Sequence, residues 1–104
     1  MSRLVIIESP YAGDIDANLR YAREALLDSL NRGEFPIASH LLYTQVLDDL
    51  DPVMRRQGIE AGLAWGSHAD LTVIYADLGV SEGMRYGIER AESEGREVEW
   101  RFIR

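Results

Sequence analysis

Two short runs, LVII at Leu4 to Ile7 and LTVIY at Leu71 to Tyr75, are apolar at nearly every position and rich in β-branched residues. A half-exposed strand would interrupt such a run at every second residue and an amphipathic helix every third or fourth. An unbroken run of this length suits a strand whose sheet is covered on both faces. Parallel strands need crossover connections, usually helical, and those helices supply the two covering layers. The stretches between the strands must therefore hold helices.

Their patterning agrees. Asp14 or Asp16 can cap a helix whose apolar positions Leu19, Ala22, Leu26 and Leu30 recur at helical spacing, stopped at Asn31 to Gly33. EFPIAS, Glu34 to Ser39, reads as a second strand, and Pro36 within it suits a sheet edge, where a missing N–H donor is tolerated. Leu42, Val46 and Leu50 share one helical face and predict a helix ending at Asp51-Pro52. Another runs from about Val53 to Ser67 with Ile59, Gly62, Leu63 and Gly66 inward, the small residues letting it lie close to the sheet. Ser81 caps a further helix with Met84, Ile88 and Ala91 inward and Gly95 as its stop. The final EVEWRFIR alternates strictly, which predicts a half-exposed strand with Val98, Trp100 and Phe102 inward and Glu97, Glu99 and Arg101 outward. The expectation is one domain over residues 1–104: a three-layer, Rossmann-like α/β fold with an open, mostly parallel sheet in the order 2-1-3-4.

Composition narrows the function classes. A net charge of −7 and the scarcity of clustered cations disfavour a nucleic-acid partner. A small anion stays admissible, because a helix N-terminus binds one without a basic patch. The absence of cysteine removes disulfides and thiolate metal sites. The opening MSRLVIIESP has only four consecutive apolar residues, too few for a signal peptide or membrane span, so a cytoplasmic protein with no membrane partner is expected. A domain this small leaves apolar surface uncovered, which favours a homo-oligomer, a dimer or higher.

In an open parallel sheet, ligands bind beyond the carboxyl ends of the strands where the strand order reverses. Here three loops meet at that point: ESPYAGD, SH and ADLGVSEG. Ser81 and Gly83 offer a hydroxyl and backbone N–H groups at the positive end of a helix dipole, or else Ser81 is only the cap. Tyr11 and Gly13 either wall a sugar or base or simply make a turn. His40 stands at a strand's carboxyl end, in ligand contact or as a structural residue. Asp77 and Glu82 are the acids at the same rim, unless both are solvated loop charges. Asn18 faces either the mouth or solvent, and Tyr43 and the two tryptophans read as packing residues. There is no metal-ligand spacing, since His40 and His68 lie far apart and neither has a histidine at i+3 or i+4. No glycine-rich dinucleotide fingerprint follows the first strand, and no cofactor is implied.

Taken in order, SPYAGD with Asn18 following, GEFPIASHLLYTQ, AWGSHADLTVIYAD and GVSEGMRYGIERAESEGREV resemble the nucleoside 2-deoxyribosyltransferase-like superfamily, including its nucleotide N-glycosidases and small phage-borne members. The resemblance spans nearly the whole chain and is most specific at Ser81-x-Gly83-Met84. It implies that the first loop, Ser9, Pro10, Tyr11 and Gly13, together with Asn18, His40, Asp77, Ser81, Gly83 and Met84, holds a nucleotide, nucleoside or ribose-phosphate ligand. It also places the superfamily's reactive glutamate at Gly87 and its supporting aspartate near Gly62. A carboxylate is used there because the transition state resembles an oxocarbenium ion. With both positions occupied by glycine, the resemblance implies a binding protein with a degenerate pocket. One form would be a phage sponge, in the host cytoplasm, that sequesters a nucleotide signal of host immunity. The alternatives are an active deoxyribosyltransferase or N-glycosidase with a relocated carboxylate, for which Glu82 and Asp77 are weak candidates, and a protein-interaction module with a vestigial pocket. Glu89 is a poor substitute, since two residues turn a helix by about 200°.

Overall fold

A computed structural model describes residues 2–104. The elements are β1 (Leu4–Glu8), α1 (Ile15–Asn31), β2 (Phe35–Ile37), α2 (Ser39–Leu42), a 3-10 turn (Tyr43–Gln45), α3 (Pro52–Gly66), β3 (Leu71–Tyr75), α4 (Glu82–Ser93) and β4 (Glu97–Arg101). All pairings are parallel and the order is β2-β1-β3-β4, as the alternation of strands and helices predicts. Pro36 lies on the edge strand β2, opposite Val5.

The pleat divides β1 between two layers. Val5 and Ile7 join Tyr21 and Ala25 of α1 and Leu71, Val73 and Tyr75 of β3 in the main core. Ile6 faces the other way, where Gly66 of α3 lies against it. Glu8, two residues on, meets Gly87 of α4 on that same side. α1 thus covers one face, and α3 and α4 cover the other.

Capping follows the sequence closely. Asp14 accepts from Ala17 N at the start of α1, and Asp51 accepts from Val53 N and Met54 N ahead of Pro52. Ser81 accepts from Met84 N at the start of α4. Gly33 and Gly95, at φ 83° and 71°, end α1 and α4 in the left-handed conformation that glycine adopts without steric penalty.

Three expectations need correction. The buried face of α1 is Asn18, Tyr21, Ala22, Ala25 and Ser29, while Leu30 is exposed. Polar side chains sit inside because each finds a partner: Tyr21 Oη donates to Asp77 at 2.6 Å and Ser29 Oγ to Glu34 at 2.8 Å. The helix through Leu42, Val46 and Leu50 does not form. The chain makes four residues of α2 and the 3-10 turn, then turns where Asp48 accepts from Leu50 N, leaving Val46 and Leu50 exposed. Finally, β4 departs from the expectation at its carboxyl end: Arg101 is buried, whereas Trp100 and Phe102 are exposed. Register places Arg101 beside Tyr75. The guanidinium donates to both Glu34 oxygens at 2.8 and 2.7 Å and to Tyr75 Oη at 3.0 Å, and it also pairs with Glu99. A charge is tolerated inside because it is paired and fully hydrogen-bonded. Trp65 and Trp100 are likewise not packing residues within the chain, being 60% and 51% exposed.

Candidate functional site

A cleft of about 820 Å³, counting its open mouth, lies beyond the carboxyl end of β1, between α2, α3 and α4. This is the switch point, where β2 and β3 leave β1 on opposite sides. Six of the residues singled out from sequence line it: Ser9, Tyr11, His40, Ser81, Gly83 and Met84. Tyr43 lines it too, and so faces a ligand space rather than the core.

The other candidates lie outside this lining. Asn18 is buried and its amide donates to the carbonyls of Tyr11 and Ala12 at 2.9 and 3.0 Å, which shapes the first loop from behind. Pro10 is buried in that loop, and Gly13 supplies its turn at φ 102°. Replacing Asn18 with alanine should weaken ligand retention and lower stability by about 1–2 kcal/mol, measured by chemical denaturation, because two carbonyls lose their donor. Asp77 turns to the other layer. Its carboxylate accepts from Tyr21 Oη and from the backbone N–H groups of Ile103 and Arg104, and those bonds hold it below the usual carboxylate range. It ties down the end of the chain and does not act as a rim acid. Glu82 is exposed and accepts from Tyr86 Oη at 3.2 Å on the outside of α4.

At the start of α4, Ser81 Oγ is taken up by Met84 N, and Met84 Sδ accepts from Ser81 N. The N–H groups of Glu82 and Gly83 have no partner within the helix. Beside Gly83 stands Arg55, its guanidinium 3.8 Å from the point a Cβ on that glycine would occupy. Arg55 takes part in none of the ion pairs formed among the described residues. Arg55 and Gly83 both line the cleft, so an unpaired cation stands there beside the free amides that open α4.

Two ionisable groups in the cleft are displaced in opposite directions. Burial pushes His40 down to about 4, so its imidazole is neutral at pH 7, and its Nε2 lies 2.6 Å from Ser9 Oγ. Desolvation pushes Glu8 up to about 8, only partly offset by the Arg96 charge. The space beside Gly62 and Gly87 is occupied by side chains of neighbouring elements. A Cβ on Gly62 would lie 2.8 Å from Ser39 Cβ, and a Cβ on Gly87 would fall on the Glu8 carboxylate.

This chain belongs to the DUF7768 family, a domain of unknown function. The family's model matches residues 3–101. No curated protein matches the chain in sequence. The cleft residues Glu8 to Gly87 thus all fall inside the DUF7768 match. Among those described, no group of three or more His, Cys, Asp or Glu side chains is placed to hold a metal ion. Among the described residues, no helix is long and apolar enough to cross a membrane.

Sequence reasoning missed Glu8, Ser39 and Arg55. A signal for the first existed: Glu8 is the only charged residue in an otherwise apolar central strand, at its carboxyl end. Arg55 gives no such signal, since its meeting with Gly83 depends on how α3 packs against α4.

Proposed function

We propose that this DUF7768 domain binds a nucleotide or ribose-phosphate ligand in the cleft, with the phosphate at the start of α4. The observation that carries the reading is the unpaired Arg55 guanidinium beside the free amides of Glu82 and Gly83. Helix N-termini attract anions through these amides and the macrodipole, and an adjacent cation adds a charge-assisted hydrogen bond. The net charge of −7 repels anions at long range, so affinity has to come from this local arrangement. Tyr11 and Tyr43 provide faces for a sugar or base.

Calorimetric titration with ribo- and deoxyribonucleoside 5′-monophosphates tests this. Binding is expected, with Arg55→Gln weakening it about tenfold or more, in line with the loss of one charge-assisted hydrogen bond. The matching nucleosides should bind less tightly. Equal binding of nucleoside and nucleotide, unaffected at Arg55, would overturn the phosphate assignment.

The reading includes self-association. Val46, Leu50 and Val53 are 80%, 90% and 76% exposed, and a second copy covering them would remove apolar area from water. Sedimentation velocity of the native chain and of a Leu50→Glu variant measures this: the variant should be the smaller species.

A further inference from the structure

The two edges of the sheet are unequal. Strand order leaves β2 and β4 each with a neighbouring strand on one side only. On β2 the Phe35 N–H is taken by Arg3 O, and the next residue, whose peptide nitrogen points outward, is Pro36. That edge has no donor to offer there. β4 holds neither proline nor lysine, and its register against β3 runs without a bulge from Glu97 to Arg101. An edge left this open is a template for another strand.

Which peptide groups of β4 face outward follows from two hydrogen bonds. Ala76 N donates to Arg101 O at 3.0 Å, so Arg101 turns its peptide groups toward β3. Ile103 N donates to Asp77, at the end of β3, and continues that inward set. By the period of two, Glu97 and Glu99 also face β3, whereas Val98, Trp100 and Phe102 turn their peptide groups to the open edge. The side chains of this outward set share the α4 face of the sheet. Trp100 there borders a groove of about 680 Å³, counting its open side, with Val80, Arg85, Ile88, Glu89 and Glu92 as the other walls.

The segment from Val98 to Phe102 is complementary to itself. Two copies laid antiparallel about an axis at Trp100 put Val98 opposite Phe102, Glu99 opposite Arg101 and Trp100 opposite Trp100. The pairs are apolar on apolar, opposite charges, and aromatic on aromatic, each of them a favourable cross-strand pair. The outward residues meet as hydrogen-bonded pairs, while Glu99 and Arg101 fall at the non-hydrogen-bonded sites, where side chains approach more closely. Glu99 already pairs with Arg101 within the chain, so a second copy completes an alternating cluster of two carboxylates and two guanidiniums. Moving the axis to Glu99 would set Glu99 against Glu99, and like charges directly opposite are unfavourable. On the other face the groove beside Trp100 has room for the second indole.

We propose that β4 pairs antiparallel with β4 of a second copy about a two-fold axis at Trp100, joining two four-stranded sheets into one of eight strands. This surface is separate from the cleft and from the Val46, Leu50 and Val53 patch, so it does not depend on what either of them binds.

Sedimentation velocity over a range of concentrations measures the association, and amide hydrogen exchange followed by NMR locates it. In the native chain the Val98, Trp100 and Phe102 amides should be as slow as those of Glu99 and Arg101. Trp100→Glu should weaken association about 100-fold or more, because a central aromatic contact is lost from both copies at once. In that variant Val98 and Phe102 should exchange about tenfold faster or more, while Glu99 and Arg101, bonded to β3, stay slow. Val98→Pro removes one outward donor without touching the β3 ladder, and should weaken association in a chain that circular dichroism shows to be folded. Leu50→Glu should leave the exchange pattern as it is. A native chain that is monomeric at every concentration would overturn the proposal, as would an oligomer in which the Val98 and Trp100 amides exchange freely. Conversion to monomer by Leu50→Glu alone would overturn it in favour of the other patch.

Discussion

Replacing Arg101 with leucine is expected to lower the stability of the domain by about 3–5 kcal/mol, because it strands a buried carboxylate. Arg101 and Glu34 are both nearly inaccessible, with side chains 3% and 8% exposed, and they share two hydrogen bonds across the sheet. Glu34 also accepts from Ser29 and pairs with Arg3, while Arg101 donates to Tyr75 Oη. Domains of this size are typically stable by about 5–15 kcal/mol, so the loss removes a large share of the total and leaves little margin at the low end of that range. Urea denaturation gives the number, and a loss under about 1 kcal/mol would mean the pair is solvated. The same pair sets the acid limit. Arg101 holds Glu34 down at about 2 against an ordinary 4.5. A depressed carboxylate contributes stability that is present above pH 4.5 and is lost as pH falls toward 2. Glu34→Gln should remove that part of the acid dependence while also being destabilised at pH 7.

Glu8 reverses the usual sign for a carboxylate, and here the second large effect is expected. With its folded-state value raised to about 8, its contribution is fully present below pH 4.5 and is lost as pH rises to 8. His40, lowered to about 4, contributes stability above pH 6.5 that is lost on acidification. The two slopes oppose each other between pH 4.5 and 6.5, so the Glu8 signal stands clear from pH 6.5 to 8. Each unit of pH is worth at most about 1.4 kcal/mol, and access of water through the cleft reduces this. A net fall of about 1–2 kcal/mol across that interval is expected in the native chain. It should be absent in Glu8→Gln. Gly87→Ala should act in the same direction by a different route. The added methyl group displaces the end of the Glu8 side chain toward the cleft mouth, where the carboxylate is hydrated, and alanine gains about 1 kcal/mol of helix propensity. At pH 8 the Gly87→Ala protein should therefore be the more stable one, by about 2 kcal/mol. Thermal denaturation of the three proteins at pH 6.5 and 8 measures both effects; parallel behaviour of all three would contradict the placement of Glu8.

Much of the architecture is readable from local pattern because each signal is a short-range physical requirement. Two unbroken apolar runs demand a sheet covered on both sides, Asp14 and Ser81 satisfy free helix N–H groups, and Gly33 and Gly95 stop helices. The errors arise where two local readings are equally good. The apolar spacing at Leu42, Val46 and Leu50 is helical, yet Asp48 and Asp51 supply side-chain acceptors that favour turning and a new helix start. Strict alternation in β4 defines two faces and says nothing about which is inward. The choice falls to Arg101 because Glu34, 67 residues away, offers a partner.

The site divides in the same way. That Ser9, Tyr11, His40, Ser81 and Gly83 belong to one cleft could be read from strand ends and the switch point, while Met84 was read there as an inward helix residue and enters the site only through the family resemblance. Only the tertiary structure brought Glu8 into the space at Gly87, Ser39 into that at Gly62, and Arg55 to the start of α4. The sequence by itself determined the order of strands and helices, their caps and the sheet's covered faces, since these follow from interactions within a few residues. Which acid, which cation and which face of the last strand are used was decided by packing between distant segments, because space and charge partners exist only once the layers have closed on each other.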